Sequence, residues 1–291
     1  PQAGNLRHAS RLMSGDALGA AVSLYRAELP LSARSAFLTH GVATWGVLFG
    51  GWLLFCSLIE FSAAKFPRVS QSKLQSAQRT DDPRLRALAR KVVTRNWLSV
   101  LLQAIVFAPL LKVAFPLHQV ATAMTLRGYA SFFGFWLVSN DLLFTLFHAA
   151  FHEVPGMYRF HKEHHTWKAP FCWMSHAMSL TEASANGIAV MAYPLFHSLY
   201  LGRTTPLELV WFVQLVAELI GCIEHSGYDA LHPLLIINPA HFPHWLFSTT
   251  KKHDDHHRCF NGNYGGYLNL WDVLAGTVIE PGARSQTPKR E

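Results

Sequence analysis

The sequence predicts an all-α integral membrane protein, a bundle of about four transmembrane helices closed at one face by a polar, histidine-rich region. Three observations lead there. Half of the 291 residues are hydrophobic and only 15% are charged, whereas soluble domains carry about a quarter charged residues. Apolar stretches long enough to cross a bilayer alternate with polar segments. Histidine, with 17 copies, gathers in the polar segments that follow the later stretches.

The first apolar stretch runs from Phe37 to Phe61 without a Lys or Arg. The segment 62–96 is polar and carries nine Lys or Arg. A second stretch, Trp97 to Leu117, is interrupted by Pro109, Lys112 and Pro116, and a third covers Tyr129 to Phe151. Residues 152–186 are polar. The stretches 187–202 and 206–225 follow, joined by a tight link; the first is short for a full span, so the pair reads as a hairpin that only partly crosses. Basic residues concentrate on the cytosolic side of membrane proteins, which places 62–96 in the cytosol. Counting spans from there puts every later histidine cluster on that same face.

One domain is expected over 37–277, with its chemistry in 129–277. The N-terminal segment 1–36 reads as peripheral and 278–291 as a flexible tail. The chain opens without methionine and shows no signal-peptide pattern, so the natural N-terminus is expected to precede Pro1. The formal charge of +7 lies mostly in loops flanking apolar stretches, which suits a membrane surface better than nucleic acid. Cys56, Cys172, Cys222 and Cys259 are far apart in sequence, with no C-x-x-C pair, so neither a secreted disulfide framework nor a thiolate zinc site is indicated.

The chemistry concentrates in "FHAAFHEVPGMYRFHKEHHTW", residues 147–167. His148 and His152 stand four apart at the end of a helical stretch, so both rings leave one face. His161, His164 and His165 form H-x2-H-H, and His253, His256 and His257 repeat that spacing in "HDDHH". Within such a box, the first two histidines share a face at i, i+3 and the third sits beside them. One ion needs three or four ligands, so eight rings point to two ions. His225 ends the last apolar stretch and is read as a ninth ligand; the alternative is a helix-capping histidine at the interface. His176 reads as lining the site or extending the ligand set. Asp141 and Glu218 each precede a histidine, His148 and His225, by seven residues. Each is expected to accept the distal N–H of that ring, which fixes a ligand's tautomer; for Glu218, polar contact between helices is the rival. His40, His118 and His197 read as structural, and His232, His241 and His244 as interfacial packing.

The order H-x3-H, H-x2-H-H, "HSGY" and "HDDHHRCFNGNYGGYLNLWDVLAGT" resembles the fatty acid hydroxylase/sterol desaturase superfamily, and within it the methylsterol oxidase and cholesterol 25-hydroxylase-like branch. The resemblance covers roughly 129–277. It implies that His148, His152, His161, His164, His165, His253, His256 and His257, with His225, hold two iron ions. Imidazole chemistry alone would equally suit zinc or copper. It further implies O2-dependent hydroxylation or desaturation of a sterol or fatty-acyl lipid, electrons from NAD(P)H through cytochrome b5 or a reductase, and residence in the endoplasmic reticulum. Some relatives carry a His or Asn four residues before the counterpart of His225. Here that position is Gly221, so a tenth ligand is water or absent. Aldehyde processing by the same ligands, and a membrane metal-transport or metal-binding role, are the competing functions. "NGNYGG" supplies turn residues that would fold the C-terminal segment back over the ions, with Tyr267 and Trp271 anchoring it at the interface. Lys251, Lys252 and Arg258 would face lipid phosphates or an acidic electron donor, the alternative being a solvated surface.

Overall fold

The computed structural model describes residues 36–75, 82–115, 124–231, 243 and 245–279. His118, His232, His241 and His244, and nearly all of 1–36 and 278–291, lie outside those residues. Among the described residues the architecture is helical, with two isolated β-bridges and no strand.

Helix α1 (Ala43–Lys65) continues a π-helical turn at Phe37–Val42. Helix α2 (Pro83–Ala114) begins well before the apolar stretch read from sequence, because Asp82 caps Arg84 N and Pro83 occupies the first turn. These are strong start signals. The basic residues of 84–95 therefore form the polar end of a helix rather than a loop. Helix α3 (Leu126–Glu153) is capped by Thr125. All three are long and apolar enough to cross a membrane. Helix α4 (Leu180–Leu195), continued by a π turn at Phe196–Tyr200, and α5 (Leu207–Glu224) make the expected hairpin. Helix α4 starts seven residues earlier than its apolar stretch, since Ser179 caps Glu182 N. Pro109 and Pro194 sit inside α2 and α4, as membrane helices allow when neighbours satisfy the freed carbonyls.

Helix α1 packs against α5, α3 against α4, and the π turn at Phe37–Val42 against α2. Near the ends of α1, α2 and α5 closest to the histidines, Trp52, Cys56, Val93, Trp97, Met174 and Cys222 share one buried cluster. Cys172 joins the same cluster, so three of the sequence-distant cysteines meet in space, all as free thiols. His40 contacts the Phe115 carbonyl oxygen at 3.0 Å and His197 contacts Thr205 Oγ1 at 2.7 Å, so both are structural. The polar segments meet at one end of the bundle. Gln75 Nε2 donates to the Lys168 carbonyl and to Asp254, Arg95 pairs with Glu163 at 2.7 Å, and Asn96 donates to the carbonyls of His176 and Met178. Helices α6 (Thr250–Cys259) and α7 (Leu270–Ala275) close this end.

Candidate metal centre

Nine histidines, all buried, converge at that end in two groups. The first holds His148, His152, His161, His165 and His256; the second holds His164, His225, His253 and His257. Helix periodicity explains the sorting, in which each H-x2-H-H box reaches both groups. The i, i+4 pairs 148/152, 161/165 and 253/257 each stay within one group. The middle histidine of each H-x2-H-H box crosses to the other group. The groups are adjacent, with the His165 and His257 ring centroids 4.9 Å apart.

The distances within each group fit a cation. In the first, Nε2 atoms lie 3.1 Å apart for His148 and His161, 2.9 Å for His161 and His165, 3.2 Å for His165 and His152, and 3.0 Å for His256 and His165. In the second, the separations are 3.2 Å for His164 and His225, 2.9 Å for His253 and His225, and 3.1 Å for His257 and His253. Two imidazole ligands at right angles on bonds of roughly 2.1 Å would stand about 3.0 Å apart.

Tautomers decide the matter. A carbonyl oxygen only accepts, so a ring nitrogen facing one must carry the proton. His164 Nδ1 faces the Ala177 carbonyl at 3.3 Å and His225 Nδ1 faces the Gly221 carbonyl at 2.7 Å. Their Nε2 atoms, 3.2 Å apart, therefore present two bare lone pairs to each other. His148 and His256 are held likewise by the Tyr264 and Gly262 carbonyls, both at 2.8 Å. Facing lone pairs repel, and a shared cation is what makes the arrangement favourable. Burial first, and repulsion among the rings second, push His161, His164, His165, His253, His256 and His257 well below the usual histidine range. At neutral pH these rings are neutral, the form that binds metal.

The buried carboxylate beside a ligand is Glu182, which the sequence reading missed. Its Oε1 lies 2.9 Å from His161 Nδ1, off the line of a full hydrogen bond. The signal was present: "SLTE", residues 179–182, is a capping box, which puts Glu182 in the first turn of a helix rather than in a polar loop. Asp141 and Glu218 do not hold ligand rings. Seven residues along a helix is about 10 Å, too far for a direct hydrogen bond to His148 or His225. Asp141 instead accepts the backbone N–H groups of Tyr267 (2.6 Å) and Leu268 (3.2 Å). Glu218 pairs with His176 Nε2 at 2.7 Å, and the His176 ring lies against Trp97 with centroids 4.5 Å apart. His176 belongs to neither metal-binding group.

The loop after the last box forms a cover over the cage. Asp272 accepts the backbone N–H groups of Tyr264 and Gly265 and the Thr277 hydroxyl, while Asp141 holds its far end. Gly262 has φ +107°, and a Cβ there would strike the Thr277 carbonyl; only glycine adopts such a backbone without cost. The Tyr267 hydroxyl accepts from Asn140 at 3.0 Å, so this side chain docks on α3. Asp255 engages both Lys251 and Arg258 at 2.7 Å.

A family model described as fatty acid hydroxylase matches residues 132–277. The chain is 32% identical over 152 residues to methylsterol monooxygenase erg25A of Aspergillus fumigatus, covering 52% of this chain and 48% of that protein. It is 30% identical over 150 residues to lathosterol oxidase of Mus musculus, covering 50% and 44%, and 30% identical over 148 residues to human cholesterol 25-hydroxylase, covering 50% of each. The chain thus spans about half the length of the curated relatives it matches. No solved structure matches it. The matched region begins in α3, takes in all nine clustered histidines and ends with the covering loop, and on that extent the chain belongs to the fatty acid hydroxylase/sterol desaturase superfamily.

Proposed function

We propose that the chain is a membrane-embedded, di-iron, O2-dependent oxidoreductase that hydroxylates or desaturates a sterol or fatty-acyl lipid. One observation carries this reading: nine buried imidazoles sort into two adjacent groups whose ring nitrogens converge. Imidazole also suits zinc and copper; relatives named as sterol monooxygenase, oxidase and hydroxylase support iron. When bound, iron at these positions supplies reductive activation of O2 and oxidation of an unactivated C–H bond.

The chain's own residues do the rest. Carbonyls of Gly221, Ala177, Gly262 and Tyr264 fix the proton of four rings on Nδ1, and Glu182 stands 2.9 Å from His161 Nδ1. Asp141 and Asp272 pin the covering loop, which keeps bulk water off the cage. The lipid substrate enters from the bilayer beside α3 and α5. Electrons arrive at the cytosolic face from NAD(P)H through cytochrome b5 or a reductase, and the protein resides in the endoplasmic reticulum. The basic segment at the cage end supports that orientation.

The test is metal content per chain after anaerobic purification, followed by product analysis on sterol and fatty-acyl substrates. The expected result is about two irons, with His161→Ala/His256→Ala and His164→Ala/His257→Ala each losing about one. A single ion, or metal retained when both groups are cut, would sink the reading. Products then separate hydroxylation from desaturation, which share these ligands.

A further inference from the structure

The covering loop brings to the metal-binding rings one side chain that is not itself a ligand. Tyr264 is 2% exposed, and its ring centroid lies 5.2 Å from that of His152, 5.8 Å from His148 and 5.9 Å from His256. All three histidines belong to the first group. The Tyr264 carbonyl faces His148 Nδ1 at 2.8 Å, so the residue also joins the cage through its backbone. Its phenolic O–H donates to Glu153 Oε1 at 2.6 Å. We propose that Tyr264 is a redox-active tyrosine, which gives one electron toward the first group as its phenolic proton passes to Glu153.

Electron path, proton acceptor and shelter all stand in place. Ring contact with three ligand histidines, and the hydrogen bond to one of them, give the electron a short way into the cage. A separation of 2.6 Å is that of a charge-assisted O–H···O⁻ bond, and across it a proton moves without rearranging either side chain. Burial shields the resulting radical from solvent. Glu153, at the end of α3, is exposed, so water can relay the proton onward. Burial, and next the Glu153 carboxylate, raise the Tyr264 phenol above its usual range; at rest the proton stays on oxygen, and it leaves only with the electron. Among the described residues Tyr158 also lies near the cage, half-buried, with centroids 5.7 Å from His152 and 6.2 Å from His165. Tyr264 is closer, touches more ligands and hydrogen-bonds a carboxylate.

This inference rests on the O2-dependent reading above. Reducing O2 to water takes four electrons, two from the external donor and two from the lipid substrate. With no lipid in place, the last two are missing. Tyr264 supplies one of them: its O–H bond breaks, Glu153 takes the proton, and a phenoxyl radical remains. The external donor supplies the other. It later returns an electron to Tyr264 as Glu153 returns the proton, which restores the phenol. Tyr264 thus protects the ligand rings from oxidation when O2 is reduced without substrate.

The experiment loads the full, anaerobically purified chain with ferrous iron, exposes it to O2 without lipid and freezes it at intervals for electron paramagnetic resonance. The expected result is a tyrosyl radical signal whose splitting collapses when tyrosine is ring-deuterated. Tyr264→Phe, which keeps the ring, should remove that signal, and Tyr158→Phe should leave it in place. Glu153→Gln keeps a hydrogen-bond acceptor but takes no proton, and should slow radical formation by about a hundredfold; a loop-pinning role alone would leave that rate unmoved. Iron content and O2 consumption are read on the same samples, and unaltered iron content shows that each variant is folded. Iron bound and O2 consumed with no radical, a radical that survives Tyr264→Phe, or a parental rate in Glu153→Gln would each overturn this inference and leave the proposed function standing. No iron bound, or no O2 consumed, would overturn both.

Discussion

Replacing Glu182 by alanine isolates one half of the cage. Its carboxylate stands 2.9 Å from His161 Nδ1, with both side chains almost wholly out of water. His161 belongs to the first group alone. Losing the acceptor that orients a ligand ring typically weakens metal binding by about 10–100-fold, or roughly 1.4–2.7 kcal/mol. The expected result is that weakening at one of two sites, with the His164, His225, His253, His257 site unchanged. Glu182→Gln keeps an acceptor oxygen and should fall between alanine and the parent. Zinc titration against a chromophoric chelator resolves the two sites as separate steps. Thermal unfolding of the metal-free chain supplies the control: Glu182 Oε2 is buried without a hydrogen bond, so removing the carboxylate should not destabilise the apo fold. Loss of affinity at both sites together, or at neither, would refute the division of the cage into two groups held by separate partners.

Other consequences are equally open to measurement. Asp141→Ala should lower the unfolding temperature, because it strands the N–H groups of Tyr267 and Leu268 at about 1–3 kcal/mol each; an unchanged temperature would show that Asp141 does not anchor the cover. Gly262→Ala should cost affinity at the first group, since Gly262 carries the carbonyl that His256 faces and cannot keep its backbone with a Cβ present. Metal titration that leaves this variant at parental affinity would contradict the role given to that carbonyl. In the metal-free chain the histidines held well below their usual range bind fewer protons folded than unfolded. Stability should therefore be level above about pH 6.5 and fall as the pH drops below it. Unfolding midpoints that stay flat from pH 7.5 to 5 would contradict burial of the rings in neutral form.

Much of this protein can be read directly from its residues. Apolar stretches of span length announce a membrane bundle because a helix must satisfy its own backbone in lipid. H-x3-H and two H-x2-H-H boxes announce a metal cage because buried imidazoles need a shared partner. Those are properties of local spacing and composition, and they survive without any knowledge of which segments touch. What only the tertiary structure decided is which group answers which. The exchange of His164 and His256 between the two groups, the pairing of His176 with Glu218 and the docking of Asp141 on the covering loop join residues from 42 to 127 positions apart. Periodicity assigned carboxylates to rings on their own helices, but two turns is too far to reach: His148 faces a carbonyl of the covering loop, and His225 the Gly221 carbonyl one turn back, while the carboxylate beside His161 is Glu182 of α4. A sequence lists donors and acceptors; packing alone determines which of them stand within 3 Å.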